Sequence, residues 1–186
     1  MKYIKKFEES INWNEVLYKV TWNNLDFDKI KLAIENGANP DYGETLSWAL
    51  RCQKYNIVKY MVEHGANINF QDDDCKWTPI MLCFADEEVR VDIAKFLIDH
   101  DADLTIGNFQ DTNALDILSH TKLQNASFGY PNVAKKEQKK MDEIFAYYMQ
   151  HLAEKTPEDS PKYKEYLTAD QKIKFAPYLD AEKFNI

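Results

Sequence analysis

Glycine and cysteine are both scarce in this sequence of 186 residues, which has only five glycines and three cysteines. So few glycines leave no glycine-rich loop of the kind that cradles phosphate. The three cysteines, Cys52, Cys75 and Cys83, form neither an even disulfide set nor a close CxxC pair. They therefore predict reduced thiols in a reducing compartment.

Long apolar runs are also lacking, since no stretch approaches the roughly 18 to 20 apolar residues that cross a bilayer. The first nine residues turn acidic at Glu8 and Glu9, where a secretory signal needs an apolar segment. The sequence therefore predicts no membrane partner and a cytoplasmic location, or translocation into a host cytosol without a cleaved signal peptide.

Positive charge is in deficit, with 23 lysines and arginines against 31 aspartates and glutamates, a net charge of −8 and a pI near 5.0. Nucleic-acid affinity comes largely from basic side chains that displace counterions, so the composition argues against a nucleic-acid partner. The only basic run, residues 135–140, is interrupted by Glu137 and predicts a solvated helix face.

What the sequence does contain is an internal repeat. Residues 29–39, 57–67 and 93–103 each carry apolar residues at i, i+3 and i+4, then a stop at Gly37, Gly65 or Asp101, then Ala-Asn or Ala-Asp. The spacing predicts a helix with one buried face in each copy. The two glycines are expected to end their helices in the left-handed conformation, which Asp101 would adopt at some conformational cost.

The stops lie 28 and 36 residues apart, whereas Thr45, Thr78 and Thr112 lie 33 and 34 apart, so the underlying period is close to 33. The run Trp77-Thr78-Pro79-Ile80-Met81 is similar to the Thr-Pro-Leu-His opening of the ankyrin repeat, with threonine suited to cap a helix and proline to its first turn. Its period and this motif identify the chain as a suspected member of the ankyrin-repeat family.

This resemblance implies an all-α fold, a solenoid of stacked antiparallel helix pairs with a C-terminal helical appendix. The expected repeat domain is 1–155, with about four units near 11–41, 42–71, 72–106 and 107–155, and a helical extension 156–186 packed on the last unit. Residues 11–20 are expected to form the first helix, residues 22–24 the turn after it, residues 86–92 an acidic bulge, and residues 133–154 the closing helix.

The histidine, cysteine and acidic residues that could form a catalytic or metal site are explained more simply by structural roles. His64 and His100 occupy equivalent repeat positions, and neither His120 nor His151 has zinc-ligand spacing. Cys83 is expected in the core. The run 72–74 is predicted to be solvated turn acids, since it lacks the ligand spacing of a calcium loop. We therefore expect no cofactor, no metal and no catalytic residue.

The remaining candidates are surface positions, because in ankyrin arrays the loop tips and exposed first-helix positions line a concave face. The residues expected to contact a protein partner are Tyr42, Glu44, Trp48, Cys52, Gln53, Asp74, Lys76, Trp77, Met81, Asp86, Asn108, Phe109 and Asp111. The aromatic members could form an apolar strip of the sort that carries interface energy. Alternatively, Trp48 and Trp77 cover neighbouring helices.

Three functions remain open at this point. The first is a monomeric, non-catalytic module that binds a protein through the concave face, as a bacterial effector or an inhibitor of a cognate partner would. The second is a structural adaptor or homodimer that acts through the C-terminal helices. The third is a cryptic enzyme that uses histidine or cysteine residues near His120 and His151.

Overall fold

Every regular element in the part of the chain that the structure describes is a helix, so the fold is all-α. The structure is a computed structural model that describes residues 11–84, 88–119 and 137–155, together with Ala169 and Lys172. The chain divides into two compact units, Met1–Phe70 and Gln71–Ile186. This division falls one residue from the expected junction of the second and third repeats.

The first unit contains two helix pairs. Its elements are α1 (Trp13–Asn23), α2 (Phe27–Glu35), a 3-10 turn (Tyr42–Glu44), α3 (Thr45–Arg51) and α4 (Tyr55–Glu63). Helices α1 and α2 pack together, as do α3 and α4, and α1 also contacts α3 while α2 contacts α4. First helix therefore packs on first helix and second on second, which is how stacked repeats bury a face that no single pair can cover.

The second unit repeats this arrangement. Its helices are α5 (Pro79–Leu82), α6 (Val91–Asp99), α7 (Ala114–Ser119) and α8 (Gln138–Lys155). Helix α5 packs on α6 and α7, and α8 packs on both α6 and α7. The expected closing helix is thus present and lies against the last two helices before it.

The buried face of each repeated helix is the one that the periodicity predicts. Ile30 and Ala33 in α2, and Met61 in α4, are fully buried, and so are Ala94 and Leu97 in α6. In α8 the predicted face is also inside, because Met141, Ile144 and Phe145 have no exposed surface.

The ends of the repeated helices follow the prediction as well. Gly37 and Gly65 have φ of 95° and 87°, and Asp101 has φ of 68°, so all three adopt the left-handed conformation. The Asn or Asp two residues later then starts the loop: Asn39 and Asn67 each accept a hydrogen bond from the N–H two residues on, at 3.1 and 3.0 Å. Asp103 does the same for Thr105 at 2.8 Å. The repeated Ala-Asn or Ala-Asp is therefore an Asx turn.

The Asx turns of the first unit are also held by other side chains of that unit. The N–H of Asn39 donates to Asn14 Oδ1 at 2.7 Å, and the N–H of Asn67 donates to Asp41 Oδ1 at 2.6 Å. The Asx turn at Asn39 is therefore held by the first helix of its own repeat, and the turn at Asn67 by a side chain from the preceding repeat. The second bond fixes the register between the two neighbouring loops.

Two local predictions were wrong. Residues 22–24 are not all turn, because α1 continues through Trp22 to Asn23. Thr78 occupies the N-cap position of α5, but its side chain makes no capping hydrogen bond. The helix after Thr112 is capped by Asn113: Asn113 Oδ1 accepts from the Asp116 N–H at 2.9 Å, and Asp116 Oδ2 accepts from the Asn113 N–H at 3.2 Å.

The expected solvated acid at 137 is also wrong. Glu137 is 5% exposed, and its Oε2 accepts a hydrogen bond from the Val89 N–H at 3.2 Å. Lys140 Nζ lies 2.9 Å from the same carboxylate and 3.3 Å from Glu88 Oε1. This carboxylate therefore ties the start of α8 to the segment before α6. Residues 86 and 87 of the expected acidic bulge and the extension 156–186, apart from Ala169 and Lys172, lie outside the described residues.

Candidate functional site

The turn before α5 is built around a buried aspartate. Asp72 is 2% exposed, and its Oδ1 accepts hydrogen bonds from the N–H groups of Cys75 and Trp77, at 2.9 and 3.2 Å. The backbone closes the same turn, since the Asp72 N–H donates to Trp77 O at 3.0 Å. The prediction that residues 72–74 are all solvated acids was therefore wrong for Asp72, whose carboxylate organises the loop.

The turn before α7 uses an asparagine in the same way. Asn108 is 7% exposed, and its Oδ1 accepts from the N–H groups of Gln110 and Thr112, at 2.9 and 3.0 Å. The Asn108 N–H donates to Thr112 O at 2.9 Å. One residue in each turn is left-handed, with φ of 58° at Lys76 and 54° at Asp111.

These two turns, residues 72–77 and 108–112, are joined, and we call them the turn platform. The Phe109 N–H donates to Cys75 O at 3.4 Å. The Gln71 side-chain amide donates to Lys76 O at 3.0 Å and to Gly107 O at 2.9 Å. Three hydrogen bonds thus hold the backbones of neighbouring repeats in one arrangement.

Phe109 projects from this platform and is 69% exposed. The Lys76 ammonium lies 5.8 Å from the centre of its ring, and the same ammonium is 3.2 Å from Asp73 Oδ1. A large apolar ring that stands on a hydrogen-bonded turn loses little conformational freedom when a partner covers it, which is the property of an interface anchor.

A second group of exposed rings lies in the first unit. Tyr18 and Trp22 on α1, Tyr42 in the 3-10 turn and Trp48 on α3 form an aromatic cluster. Ring centres are 6.2 Å apart for Tyr18 and Trp22, 6.3 Å for Tyr18 and Tyr42, and 4.9 Å for Trp22 and Trp48. These spacings are typical of aromatic pairs in direct contact.

The local fold explains how the aromatic cluster forms. Tyr18 and Trp22 are four residues apart on α1, so they share one face of that helix, while Leu17 and Thr21 are fully buried on another. The turn approaches closely because Gly43 has no side chain: a Cβ there would lie 3.0 Å from Tyr18 Cδ2. Its φ of 75° also suits glycine.

The structure places the predicted partner-contacting residues in three groups. Six are exposed: Tyr42, Cys52, Gln53, Asp74, Phe109 and Asp111. Four are partly exposed: Glu44, Trp48, Lys76 and Trp77. Met81 and Asn108 are buried, at 0% and 7%, and Asp86 lies outside the described residues.

Two of these expectations therefore need correction. Met81 follows Pro79 in the short helix α5, which is buried along its whole length, so its thioether has no surface to offer a partner. Asn108 uses its side-chain oxygen to hold the turn that carries Phe109. Neither residue is a candidate contact.

Sequence reasoning missed Tyr18 and Trp22, which link Tyr42 to Trp48. The signal was present as an i, i+4 aromatic pair at the end of the first helix. It was lost because Trp22 was assigned to a turn. The contact of Trp48 with Trp22 also agrees with the alternative in which Trp48 covers a neighbouring helix, although Trp48 stays partly exposed.

The three histidines that the structure describes, His64, His100 and His151, have structural partners. The Nδ1 atoms of His64 and His100 each lie 2.8 Å from the carbonyl four residues earlier, and their rings contact Tyr60 and Phe96, at 3.8 and 4.3 Å between centres. His151 lies 3.7 Å from Asp99 and 3.8 Å from Asp101. The described residues hold no group of three or more histidine, cysteine or acidic side chains suited to a metal ion.

The cysteines differ in exposure, as expected: Cys52 is exposed, Cys75 is partly exposed and Cys83 is fully buried. Burial raises the pKa of the Cys83 thiol to about 12, although the charge of Arg90 acts in the opposite direction. A thiol with that pKa is a poor nucleophile at neutral pH. His120, the other member of the proposed cryptic site, lies outside the described residues.

Among the described residues, no helix combines the length and apolar character that a bilayer crossing requires.

Comparison with protein families finds a match to the ankyrin repeat over residues 46–73. This range begins in α3, includes α4 and ends in the turn that Asp72 organises. A search of curated proteins finds no match to the chain.

Proposed function

We propose that this chain, in which residues 46–73 match the ankyrin repeat and every described regular element is a helix, is a non-catalytic module that binds one protein partner through its turns and first helices. The observation that carries the proposal is Phe109, which is 69% exposed on a turn fixed by Asn108 and by the bond to Cys75. An exposed ring on a fixed backbone lowers the entropic cost of association, because the turn is already ordered.

The surrounding charges support a partner with a basic surface. Asp74 and Asp111 are exposed on the turn platform, and Asp73 is 85% exposed in its side chain. Since the chain has a net charge of −8, its field accelerates the approach of a cationic surface. Aromatic anchors with an acidic rim are the arrangement that we propose for the contact.

The finer parts of the proposal concern context. We propose a monomer located in a cytoplasm, either that of the producing cell or that of a host reached without a cleaved signal peptide. A bacterial effector and an inhibitor of a cognate partner would both act by covering a surface of the partner. The identity of the captured protein distinguishes the two.

The test is affinity capture with the full chain, from lysates of the source organism and of its host, followed by affinity measurement with the purified partner. Phe109→Ser and Tyr42→Ser should each weaken binding at least about tenfold, as expected of interface anchors. Leu32→Ser is the matched control, because Leu32 is 49% exposed but lies on the second helix α2. It should leave the affinity unchanged.

Two results would contradict this proposal. If the Phe109 and Tyr42 variants bind the partner as tightly as the wild type does, the contact lies elsewhere, for instance on the C-terminal helices, as the structural-adaptor hypothesis expects. A dimer in sedimentation equilibrium that persists at low concentration would replace the monomer with a homodimer.

A further inference from the structure

The aromatic cluster of the first unit places several exposed rings side by side. Of the five large apolar side chains that are exposed in the described residues, three belong to it: Tyr18, Trp22 and Tyr42, at 46%, 48% and 41%. The planes of neighbouring rings are inclined by 33° to 72°, so no pair is stacked flat. Concentration of exposed rings at one place marks a binding surface more than scattered apolar residues do.

The polar atoms of these rings are not used by the fold. Within the described part of the chain, no hydrogen bond is made by the hydroxyls of Tyr18 and Tyr42 or by the indole N–H groups of Trp22 and Trp48. An indole N–H can only donate, and a phenol hydroxyl donates as well as accepts. A partner that covers these groups must replace their bonds to water, since an unsatisfied buried donor costs free energy. The occupant therefore has to offer hydrogen-bond acceptors together with apolar surface.

The charges beside the cluster do not select a charged occupant. Five charged residues lie within three positions of a ring in the sequence, and they include both signs: Glu15, Lys19, Asp41, Glu44 and Arg51. Lys19 Nζ lies 3.4 Å from Glu15 Oε1, and Asp41 Oδ1 accepts the Asn67 N–H at 2.6 Å. Glu44 and Arg51 also have interactions of their own. A charged group would compete with these contacts, whereas an uncharged occupant leaves them intact.

A proline-rich segment in the polyproline II conformation has the chemistry that the cluster lacks. This helix makes no internal hydrogen bonds, so its carbonyl oxygens are free to accept. Proline has no backbone N–H that would need an acceptor of its own, and its side chain is apolar and uncharged. Such segments are ordered before they bind, and grooves lined by aromatic side chains are the surfaces that hold them.

Other occupants match the cluster less well. The carbonyls of an α-helix are used within the helix, so its outer face would leave the indole N–H groups without acceptors. Lysine and arginine side chains have only donors, which cannot pair with an indole N–H. A second copy of this chain offers no proline-rich run, because no two of its six prolines are closer than four positions apart. The segment therefore belongs to another protein.

We infer that the aromatic cluster binds a proline-rich segment of the protein partner in the polyproline II conformation. The ring faces pack on the proline side chains, and the indole N–H and phenol O–H groups donate to carbonyls of the segment. A polyproline II helix rises about 3.1 Å per residue. Two residues therefore match the 6.2 and 6.3 Å from the ring centre of Tyr18 to those of Trp22 and Tyr42. This inference rests on the proposed function and specifies the chemistry of the partner.

The experiment measures binding of a dye-labelled nonaproline peptide to the full chain by fluorescence anisotropy. The control peptide is nonaproline made of D-proline, which has the same composition and apolar area but forms the mirror-image helix. The L-peptide should bind saturably. The D-peptide should bind at least about tenfold more weakly, because its carbonyls cannot meet the same donors.

Two variants locate the binding at the cluster. Trp22→Leu and Tyr42→Leu should each weaken nonaproline binding several-fold, since each removes one ring face and one donor and leaves the net charge unchanged. Leu32→Ser should bind like the wild type, because Leu32 is 49% exposed but lies on α2. Circular dichroism should show that every variant is folded. Should Trp22→Leu fail to fold, Tyr42→Leu still decides, because Tyr42 lies in an exposed turn.

Three results would overturn the inference. They are equal binding of the two peptides, no binding of either, and nonaproline binding that a folded Trp22 or Tyr42 variant leaves unchanged. Self-association that Tyr42→Leu abolishes would show that the occupant is a second copy of the chain, which also overturns it.

Failure here is distinguishable from failure of the proposed function. A partner captured through Phe109 whose binding does not depend on Trp22 or Tyr42 would leave the module intact and remove the proline site. Nonaproline binding without any captured partner would do the reverse.

Discussion

The side-chain hydroxyls of Thr21 in α1 and Thr45 in α3 lie 2.7 Å apart, and both residues are fully buried. Each also reaches a backbone carbonyl, Leu17 O at 2.9 Å for Thr21 and Tyr42 O at 3.2 Å for Thr45. Whichever hydroxyl donates across the pair, the other therefore donates to a carbonyl. This contact joins two first helices through the interior of the first unit.

Thr21→Val should lower the free energy of unfolding by about 1 kcal/mol, because it keeps the shape of the side chain and removes one member of a buried hydrogen bond. Thr45→Val should do the same. The double variant should lose less than the sum of the two, since the shared bond is counted twice. Denaturant unfolding of the three variants measures this coupling, and strictly additive losses would contradict it.

Ser47→Ala is the matched control. Ser47 is 2% exposed, and its hydroxyl makes no hydrogen bond within the described residues. Its removal should change stability by less than about 0.5 kcal/mol or increase it, because an unsatisfied buried hydroxyl contributes nothing favourable.

Gly43→Ala and Gly65→Ala should differ in their effect on the aromatic cluster. Both glycines have positive φ, so each alanine should cost about 1 to 2 kcal/mol of stability. A Cβ at Gly65 meets nothing within 4 Å, whereas at Gly43 it comes within 3.0 Å of the Tyr18 ring. Only Gly43→Ala should therefore change the tryptophan emission, through displacement of Tyr18 against Trp22. Identical emission spectra for the two variants would argue against the packing described.

Asp72→Ala should destabilise the second unit by about 1 to 3 kcal/mol, since it leaves the Cys75 and Trp77 N–H groups without their side-chain acceptor. Asp72→Asn should cost much less, because an amide oxygen can accept the same bonds, as Asn108 does in the next turn. Thermal unfolding compares the two. A loss as large for asparagine as for alanine would show that the charge, and not the acceptor, is what the turn needs.

Cys52 should react rapidly with a thiol reagent in the folded protein at pH 8, and Cys83 should react only on unfolding. The first is exposed, while burial raises the pKa of the second to about 12. A Cys52→Ser variant isolates the remaining thiols. Rapid loss of all three thiols without unfolding would contradict the burial of Cys83.

The same thiol makes stability depend on pH. Its pKa is raised from 9.0 to about 12 in the folded protein, so the unfolded chain ionises first. The contribution of the buried neutral thiol to the free energy of unfolding is complete below about pH 9 and is lost as the pH rises towards 12. Relative to Cys83→Ala, the wild type should lose up to about 1.4 kcal/mol per pH unit in that range. Parallel curves for the two proteins would refute this linkage.

The helices were predictable because their signal is periodic and repeated. Ile30, Met61 and Leu97 sit on the faces that the i, i+3, i+4 spacing selects, and Gly37 and Gly65 end their helices in the expected conformation. The position of an apolar stripe along a helix is set by the local sequence and marks the face that will be buried, so these features follow without knowing which neighbour covers it.

The turns and the surface were less predictable because tertiary contacts decide them. Nothing local distinguishes Asp72, whose carboxylate is buried under two N–H groups, from the exposed Asp73 beside it. Met81 has the spacing of an exposed first-helix position, yet α5 is so short that every residue in it is buried. The aromatic cluster likewise depends on Gly43, whose lack of a side chain lets the turn reach Tyr18.

The Asx turns have a consequence for engineering. Asn39, Asn67 and Asp103 lie 6, 11 and 9 residues before the threonine of the next repeat. The helix that precedes each of them ends in the same way, with a residue in the left-handed conformation. Differences in length are thus absorbed after the Asx residue. A foreign peptide inserted just beyond Asn69 should therefore be displayed without disturbing the helix pairs, whereas the same insertion before Gly65 would interrupt the end of α4.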